Sequence, residues 1–417
     1  MATDQRTQND LRVEEKSNAL AGVSVGLCVG GGIAALESPK LARELRRMGA
    51  KVRFIVTEAA LDFVGRTALE WSSANQVTLE PSGLAQHIAG EDLVLVFPAT
   101  ADLIGKAANG ICPDACSTYI QSALGEKLPL FFLPTMHDSL RNSPAFKNNV
   151  TTLEAFPSVY FLPPRVEEGK WKAPSPFELA LELAFRFNRL RLKNHHGTNP
   201  TAVVTLGGTH SNIDVARILS NRSSGTLGAL LIRNLLERGI SVTALCGNMS
   251  ARLENCSGLN RLEAAEFDQM QNQLKVVSAN PDISALFHLA AVSDYAVEKS
   301  FAGKISSSTA EIELKLKRLP KLIALSELKN IEYKVGCKFT ASNDESEMSK
   351  ARRLLIDHKL NSVLWNWGES AFGNSSSEDH ILIQDNGLQT TLSGKAEIAQ
   401  RMVDDFINFI SSKRSKT

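Results

Sequence analysis

The sequence predicts an α/β protein with two domains, each built around a mainly parallel β-sheet. At 417 residues the chain is long enough for two domains. Val23–Val29 and Thr201–Thr205 are short apolar runs typical of buried strands, and each precedes a glycine turn and a helical pattern. A strand, a helix and a second strand in this order form a parallel unit with a right-handed crossover.

The domain boundaries follow from changes in polarity along the chain. Residues 1–20 are polar and charged, which predicts a disordered tail. Residues 21–193 form the first predicted domain, and its last helix begins after Pro176. The polar, turn-rich stretch 194–200 is the predicted linker, and 201–417 is the second domain.

Composition excludes several classes of partner. The net charge is +1, with 43% hydrophobic and 22% charged residues, so neither nucleic acid nor an anionic membrane is expected as a partner. No apolar run approaches the roughly 20 residues of a membrane span, and the first residues lack the apolar core of a secretory signal. Of the six cysteines only Cys112 and Cys116 lie within one helical turn, so we expect reduced thiols in a cytoplasmic protein rather than a zinc site.

The sequence of the first domain predicts several strands that end in small or hydroxyl residues. Gly30–Gly32 follows the first strand, and Ser38 opens a helix that leads to a strand at 51–56. Further apolar strands occupy 93–97 and 128–133. Ligands of such sheets lie beyond the carboxyl ends of the strands. A glycine run alone is equally consistent with a tight turn.

The motifs at these strand ends resemble the phosphopantothenoylcysteine decarboxylase family. The matching segments are Gly31-Gly32-Ile33-Ala34-Ala35, Ser38-Pro39, Thr57-Glu58-Ala59-Ala60, His87-Ile88, Pro98-Ala99-Thr100-Ala101 and Asn109-Gly110-Ile111 through Asp114. The resemblance covers roughly residues 22–156. It implies a Rossmann-like, flavodoxin-like flavoprotein domain that binds FMN between the subunits of a trimer.

The resemblance also implies roles for individual residues. His87 matches the catalytic histidine of a reaction in which the cysteinyl thiol is oxidised, carbon dioxide leaves and the enethiol is reduced. Met136 and His137 occupy the substrate motif. The positions implied to bind FMN are Gly31, Gly32, Ile33, Ala34, Ser38, Thr57, Pro98, Ala99 and Thr100.

Three positions depart from this family's pattern. His137 replaces an Asn that contacts the substrate carboxylate, and the clamp stretch 160–171 lacks the family's proton-donating Cys. Asp102 replaces another Asn, and a carboxylate there repels an anionic ligand unless it is protonated or turned away. Two readings stay open for this domain, an active decarboxylase and a structural or oligomerising scaffold.

The second domain is organised around residues 205–228. A strand, a polar glycine-rich loop and a helix start gather backbone N–H groups and a helix dipole at one point, which suits a phosphate or carboxylate. Asp294 ends a later strand. Lys304 lies in a stretch of small residues, where it is either a solvated charge or a group that closes over an anionic transition state.

These segments resemble phosphopantothenate–cysteine ligase, the family fused to the decarboxylase in bacteria. The matches are Gly207-Gly208-Thr209, Ile213-Asp214, Ser220-Asn221-Arg222-Ser223-Ser224-Gly225, Ala290-Ala291-Val292-Ser293-Asp294-Tyr295, Lys304-Ile305, Pro320, Asn366 and Phe372-Gly373. The resemblance therefore implies a bifunctional coenzyme A biosynthesis protein. Its ligase joins 4'-phosphopantothenate and cysteine through an acyl-nucleotide, with CTP or ATP as co-substrate and Mg²⁺ on the triphosphate.

The catalytic residues implied for the ligase are Asn221, which holds the acyl-nucleotide, and Lys304, which is needed for its conversion. The implied nucleotide-binding positions are Gly207, Gly208, Thr209, Ser223, Ser224, Gly225, Asp294, Lys304, Lys338 and Asn366. Ser306 and Ser307 replace two lysines of the bacterial loop, so the choice between CTP and ATP stays open, as do the metal ligands. A trimer of the first domain, a dimer of the second, or both are expected. A non-catalytic scaffold or regulatory homologue remains the alternative for the whole chain.

Overall fold

The computed structural model describes residues 10–81, 83–168, 170–197, 199–308, 310–368 and 379–414. The chain divides into two compact units, Met1–Asn188 and Arg189–Thr417. Each unit contains one large sheet with helices packed on it, as the sequence predicts.

The first unit is built on a five-stranded parallel sheet in the order β2-β1-β3-β4-β5. Its strands and the hairpin that follows are β1 (Ser24–Val29), β2 (Lys51–Val56), β3 (Leu93–Ala99), β4 (Leu130–Pro134), β5 (Val159–Phe161), β6 (Arg165–Glu167) and β7 (Lys170–Lys172). Its helices are α1 (Ser38–Arg47), α2 (Arg66–Ser73), α3 (Ala101–Asn109), α4 (Ala115–Gly125), α5 (Asp138–Arg141), α6 (Pro144–Glu154) and α7 (Pro176–His196).

Local chemistry sets where the helices beside the sheet begin and end. The Thr100 hydroxyl accepts the Leu103 N–H at 3.2 Å and caps α3, which ends at Gly110 with φ +68. Asp114 and Ser117 form a reciprocal capping box at the start of α4. Both helices therefore begin directly after the carboxyl edge of the sheet or the loop beside it.

The second unit is built on an eight-stranded sheet in the order β12-β11-β8-β13-β16-β17-β18-β19. The six strands from β12 to β17 are parallel, and the last two pair antiparallel as a hairpin around the Asp-Asn-Gly turn at 385–387. The strands are β8 (Thr201–Leu206), β9 (His210–Asn212), β10 (Ile218–Ser220), β11 (Ser241–Cys246), β12 (Leu259–Glu263), β13 (Ile283–His288), β14 (Tyr295–Val297), β15 (Leu316–Arg318), β16 (Tyr333–Thr340), β17 (Ser362–Trp367), β18 (Asp379–Gln384) and β19 (Gln389–Ser393). The helices are α8 (Thr226–Glu237), α9 (Phe267–Ser278), α10 (Glu345–Asp357) and α11 (Lys395–Arg414).

Aromatic packing joins α11 to the sheet of the second unit. The rings of Phe287, Tyr333 and Phe406 have centroids 5.1–5.9 Å apart, and Phe287 meets Phe406 edge to face. Such pairs add about 1 kcal/mol each beyond the area that they bury. The closing helix is therefore part of the core that holds β13 and β16 in place.

Two predicted boundaries differ from the structure. Residues 16–20 belong to the first unit, because the Lys16 and Leu20 amides donate to the Arg47 and Met48 carbonyls at 2.8 Å and Leu20 is fully buried. The predicted tail is thus shorter than 1–20. Helix α7 runs to His196, so the predicted linker 194–200 begins inside a helix, and the division at Asn188 precedes the predicted domain end at 193. Among the described residues, no helix is both long and apolar enough to cross a membrane.

Candidate functional sites

The glycine turn of the first unit lies against the ends of two neighbouring strands. A Cβ on Gly30 would lie 2.7 Å from the Pro98 carbonyl oxygen, and a Cβ on Gly31 would lie 2.6 Å from the Ala59 Cβ. Neither contact is sterically allowed, so only glycine permits this approach. The turn thereby brings the predicted FMN positions after β1, β2 and β3 to one edge of the sheet.

The polar and apolar groups at this edge suit a flat, phosphorylated ligand. Thr57 donates its N–H and its hydroxyl to the Val29 carbonyl, at 3.0 and 3.2 Å. Ser38 begins α1, and its hydroxyl is buried with no hydrogen-bond partner among the described residues. A buried hydroxyl without a partner at a helix start can serve a bound anion. Ile33 is 72% exposed beside the turn, which offers an apolar face to a ring system. Ala34 is partly exposed, and Pro98 and Ala99 are buried in β3.

The acidic side chain near this edge is compensated. Asp102 pairs with Lys106 at 2.8 Å, and Lys106 also reaches Asp114 at 3.4 Å. The hydrogen bond that Lys106 donates to Asp102 is the main cause that raises the pKa of Lys106. The Asp102 carboxylate thus pairs within its own helix. Its charge is compensated there and does not repel an anionic ligand at this edge.

His87 and the Met136–His137 pair occupy two separate loops. His87 is half-buried, and its Nδ1 is buried without a hydrogen-bond partner in the described part of the chain. Met136 is 9% exposed, whereas His137 is exposed and precedes α5. The β6–β7 hairpin, which corresponds to the predicted clamp, reaches this loop. The Trp171 amide donates to the Met136 carbonyl at 3.4 Å, and the Arg141 guanidinium lies 5.0 Å from the Trp171 ring centroid.

The second unit contains a cavity of about 970 Å³ at the carboxyl ends of β8, β13, β16 and β17. Most of the residues that the sequence assigns to nucleotide binding line it. These are Gly207, Ser223, Ser224, Gly225, Asp294, Lys338 and Asn366, and the predicted catalytic residue Asn221 lines the cavity with them. The cavity therefore unites segments that are more than a hundred residues apart in the chain.

Gly208 and Thr209 directly follow Gly207 in the chain but are not among the residues that line this cavity. Gly208 exchanges two backbone hydrogen bonds with Asn248, at 2.9 and 2.8 Å. Thr209 is fully buried, and its hydroxyl accepts the Ser293 N–H at 2.9 Å. Their role in nucleotide binding stays a prediction, and in this structure their polar groups make hydrogen bonds within the protein.

Asn221 is held by the segment that precedes Asp294. Its Nδ2 donates to the carbonyls of Ala291 and Val292, at 3.3 and 3.2 Å. Because both partners are acceptors, the side-chain orientation is determined, and Oδ1 is left as an acceptor. Within the described residues Oδ1 has no partner, so it is available to a ligand.

The charge of the cavity is positive. Six basic side chains line it, Arg222, Lys321, Lys338, Lys350, Arg353 and Lys395, against two acidic ones, Asp294 and Asp357. Lys321 and Asp294 form an ion pair, and Lys350 pairs with Glu347. The surplus of basic groups suits a polyanion such as a nucleoside triphosphate.

His288 lies at the end of β13 and is partly exposed. Burial, with Lys321 as a lesser cause, lowers its pKa to about 4. Its Nδ1 lies 2.9 Å from the Thr205 hydroxyl, which itself accepts the Ala290 N–H at 3.2 Å. The roles in this pair depend on the tautomer of the neutral ring: with the proton on Nε2 the hydroxyl donates to Nδ1, and with the proton on Nδ1 the ring donates to the hydroxyl. His288 thus presents a neutral edge to the cavity.

Lys304 lies outside the set of residues that line the cavity, on an exposed loop. The loop is tied down beside it, where the Ile305 N–H donates to Asp214 at 3.1 Å and the Arg217 guanidinium reaches the Ile305 carbonyl at 3.5 Å. Burial opposes ionisation of Asp214, but hydrogen bonds from Ile305, Ala216 and Arg217 outweigh it and lower its pKa to about 2. The catalytic role of Lys304 stays a prediction that needs movement of this loop.

Among the residues on the cavity wall that sequence reasoning missed are Lys350, Arg353 and His288. Lys350 and Arg353 are one helical turn apart on α10, and this basic spacing was the available signal. His288 carried no comparable signal, because a single histidine at a strand end is common. The predicted Phe372–Gly373 segment lies outside the described residues. Among the described residues, no group of three or more His, Cys, Asp or Glu side chains is arranged to hold a metal.

Comparisons with known proteins agree with this two-part layout. Residues 13–182 match the flavoprotein family, and residues 198–409 match the C-terminal domain of DNA/pantothenate metabolism flavoproteins. The chain is 32% identical over 407 residues to the coenzyme A biosynthesis bifunctional protein CoaBC of Methanocaldococcus jannaschii, covering 95% of this chain and 96% of that one. The protein of the same name from Thermococcus kodakarensis is 31% identical, covering 94% and 96%. The solved structure of the DNA/pantothenate metabolism flavoprotein from Streptococcus pneumoniae is 24% identical with a TM-score of 0.45, over 50% of this chain and 99% of that one.

Proposed function

Since this chain belongs to the family of bifunctional CoaBC proteins of coenzyme A biosynthesis, we propose that it makes 4'-phosphopantetheine in two steps. The second unit ligates 4'-phosphopantothenate to cysteine at the expense of a nucleoside triphosphate. The first unit then decarboxylates 4'-phosphopantothenoylcysteine with FMN. The observation that carries the ligase half is the basic cavity that unites Asn221, Ser223–Gly225, Lys338 and Asn366.

Two displacements account for the ligation. The carboxylate of 4'-phosphopantothenate attacks the α-phosphorus of CTP or ATP, and the bond to pyrophosphate breaks. The amine of cysteine then attacks the acyl carbon, loses a proton and displaces the nucleoside monophosphate. Asn221 holds the acyl-nucleotide through its side-chain amide, whose Oδ1 is available in this structure.

The triphosphate is best placed near the start of α8. Ser223, Ser224 and Gly225 precede this twelve-residue helix, whose first N–H groups and positive dipole end attract phosphate. Lys338 and Arg353 add positive charge from β16 and α10. Asp294 and Asp357 are the carboxylates on the cavity wall that would hold Mg²⁺ together with the triphosphate, because this ion typically binds one or two carboxylates and substrate phosphates.

Lys304 completes the site when its loop closes. The loop is anchored by Asp214 at Ile305, and Lys304 itself is exposed and without an ion-pair partner among the described residues. A lysine delivered in this way neutralises charge that develops on the acyl-phosphate as cysteine attacks.

An assay of pyrophosphate release tests the ligase. We expect continued release over many turnovers that requires both 4'-phosphopantothenate and cysteine, because without cysteine the reaction stops at the acyl-nucleotide. CTP and ATP are supplied in separate reactions to determine the base preference. The Asn221→Asp variant, which keeps the side-chain volume, serves as the inactive control. No release with either nucleotide would support the alternative of a non-catalytic scaffold.

The residues of the first unit fit FMN. When bound, FMN supplies the two-electron oxidation and reduction that the decarboxylation requires. Gly31 and Gly32 bring the backbone close to the ligand, Ser38 and Thr57 offer hydroxyls, and Ile33 covers a ring face. His87 takes the proton of the substrate thiol as a general base.

A specific observation favours a second possibility for this unit, in which it is only structural. His137 is exposed where the related family has Asn, and no Cys is present in the clamp hairpin. Purified protein with a flavin absorbance band that releases carbon dioxide from 4'-phosphopantothenoylcysteine supports decarboxylation. Colourless protein that stays inactive with added FMN supports the structural role.

We propose that the first unit forms a trimer, that the second unit forms a dimer, and that the protein is cytoplasmic. Exposed apolar side chains on the first unit, Ile33, Ile88 and Ile111, fit contacts within a trimer. Tyr295 and Leu316, exposed on the β14–β15 ribbon, fit a dimer of the second unit. All six cysteines are thiols and not part of disulfides, which suits the reducing cytoplasm. The small-molecule substrates require neither nucleic acid nor a membrane.

A further inference from the structure

A single arginine ties together both ends of the segment that carries His87. Arg53 lies on β2 and is half-buried. Its Nη1 donates to the Glu91 carboxylate at 3.0 Å, and its Nη2 donates to the main-chain carbonyl of Gln86. Gln86 directly precedes His87, and Glu91 lies four residues after it. The guanidinium therefore bridges the segment 86–91.

Helix α4 holds the same segment from the other side. The buried Tyr119 hydroxyl donates to the second oxygen of Glu91, and the Arg53 guanidinium lies 5.6 Å from the Tyr119 ring centroid. One turn later, the Ser122 hydroxyl accepts the Ala89 N–H at 3.0 Å. Both carboxylate oxygens of Glu91 thus accept hydrogen bonds, one from Arg53 and one from Tyr119. These bonds fix the position of the carboxylate, which in turn orients the Arg53 guanidinium.

The segment between these ties exposes only one ring nitrogen of His87. The Ile88 N–H donates to the Ala85 carbonyl at 3.0 Å and closes a turn around His87. Because Nδ1 is buried without a described partner, Nε2 is the atom that can meet a substrate. Among the described residues, no side chain forms a hydrogen bond that orients the imidazole, so its position depends on the backbone of 86–91.

We propose that Arg53 is a positioning residue for His87, which it holds through the backbone of the segment 86–91 and not by contact with substrate. The inference rests on the proposed decarboxylation, in which His87 is the base. The planar guanidinium suits this role because it donates in two directions at fixed geometry, whereas a lysine ammonium cannot reproduce the fork.

The first experiment compares full-length variants in the decarboxylation of 4'-phosphopantothenoylcysteine. Arg53→Gln should lower kcat about 100-fold, the cost expected when a catalytic group shifts by about 1 Å, with KM unchanged. Arg53→Lys should recover part of the rate, because it keeps the charge opposite Glu91. Lys51→Gln is the matched control, since it removes an exposed positive charge two residues earlier on the same strand and should leave kcat unchanged.

Non-additivity separates positioning from a general effect on the fold. Adding Arg53→Gln to His87→Asn should cause no further loss of the residual rate, since the group that Arg53 positions is already gone. An equal loss in both backgrounds would overturn the inference. Tyr119→Phe removes only the hydroxyl that holds Glu91 and should give a smaller loss, which keeps the test valid if Arg53→Gln folds poorly.

A measurement without substrate distinguishes failure of this inference from failure of the proposed function. Amide hydrogen exchange of residues 85–91 should be at least tenfold faster in Arg53→Gln than in the wild type and the Lys51→Gln control. Unchanged exchange would refute the positioning role, even in an active enzyme. A wild-type protein that releases no carbon dioxide would refute the decarboxylase proposal, while faster exchange in Arg53→Gln would still support the tie to Gln86 and Glu91.

Discussion

Replacing Gly208 by Ala should displace Asn221 and slow ligation without unfolding the protein. A Cβ at position 208 would lie 2.7 Å from the Asn221 carbonyl oxygen, whereas ordinary carbon–oxygen contacts are about 3.3 Å or longer. Gly208 itself cannot retreat easily, because Asn248 holds both its N–H and its carbonyl. The required shift of about 0.6 Å therefore falls mainly on Asn221.

The magnitude follows from the contacts of Asn221. Its two side-chain hydrogen bonds, at 3.3 and 3.2 Å, are already long, so the shift breaks at least one of them. Overpacking of this kind costs about 1–3 kcal/mol of stability. Displacing a catalytic group by up to 1 Å lowers kcat by up to about 100-fold, so we expect a loss of about 10- to 100-fold for Gly208→Ala.

The assay is steady-state pyrophosphate release by the full-length protein. Gly65→Ala is the control, because Gly65 has φ −66 and a Cβ there meets no atom within 4 Å. Thermal unfolding reports on folding in the same samples. A Gly208→Ala protein with kcat within twofold of the wild type would refute the proposed contact between this glycine and the position of Asn221.

Three further predictions concern the ligase unit. Asn221→Asp and Lys304→Gln should each abolish product while leaving thermal unfolding unchanged, and normal turnover by both would refute the site assignment. Asp214→Asn removes the acceptor of the Ile305 N–H, so hydrogen exchange of residues 301–308 should become faster and kcat should fall, with the nucleotide KM unchanged; unaltered exchange would contradict the anchor. The pKa of His288 is lowered to about 4 in the folded unit, so the unfolded chain binds this proton at a higher pH than the folded one. As the pH falls from 6.5 to 4, the free energy of unfolding should therefore decrease by about 3 kcal/mol. A His288→Gln variant should not show this decrease when thermal unfolding is measured across the same range.

The sequence predicted the fold well because both units follow simple periodic patterns. The apolar runs at 51–56 and 201–206 form parallel strands as expected, and the hairpin around 385–387 was visible from its Asp-Asn-Gly turn. The junction was placed less well. The polar stretch after residue 193 suggested a linker, but its first residues continue helix α7.

The cavity of the second unit could be predicted only where motifs were contiguous. Residues 220–225 form one specific run, and the structure places most of them on the cavity wall. The sequence could not show that the Thr209 hydroxyl accepts a hydrogen bond from the Ser293 N–H, since the two residues are 84 positions apart. It also could not place Lys304, because the loop conformation depends on Asp214 rather than on local propensity.

The network around His87 shows the same limit. Nothing in the local sequence relates Arg53 to Gln86, because strand β2 and the loop meet only in the folded sheet. A charged residue inside an apolar strand pattern was the available signal. Its two partners became identifiable only from the geometry.

The most direct test of the two-step proposal measures pyrophosphate and carbon dioxide together. Wild-type protein loaded with FMN is supplied with 4'-phosphopantothenate, cysteine and either CTP or ATP. We predict that one carbon dioxide is released for each pyrophosphate, with 4'-phosphopantetheine as the product. Pyrophosphate release without carbon dioxide would contradict the decarboxylase half, and release of neither product would contradict the account as a whole.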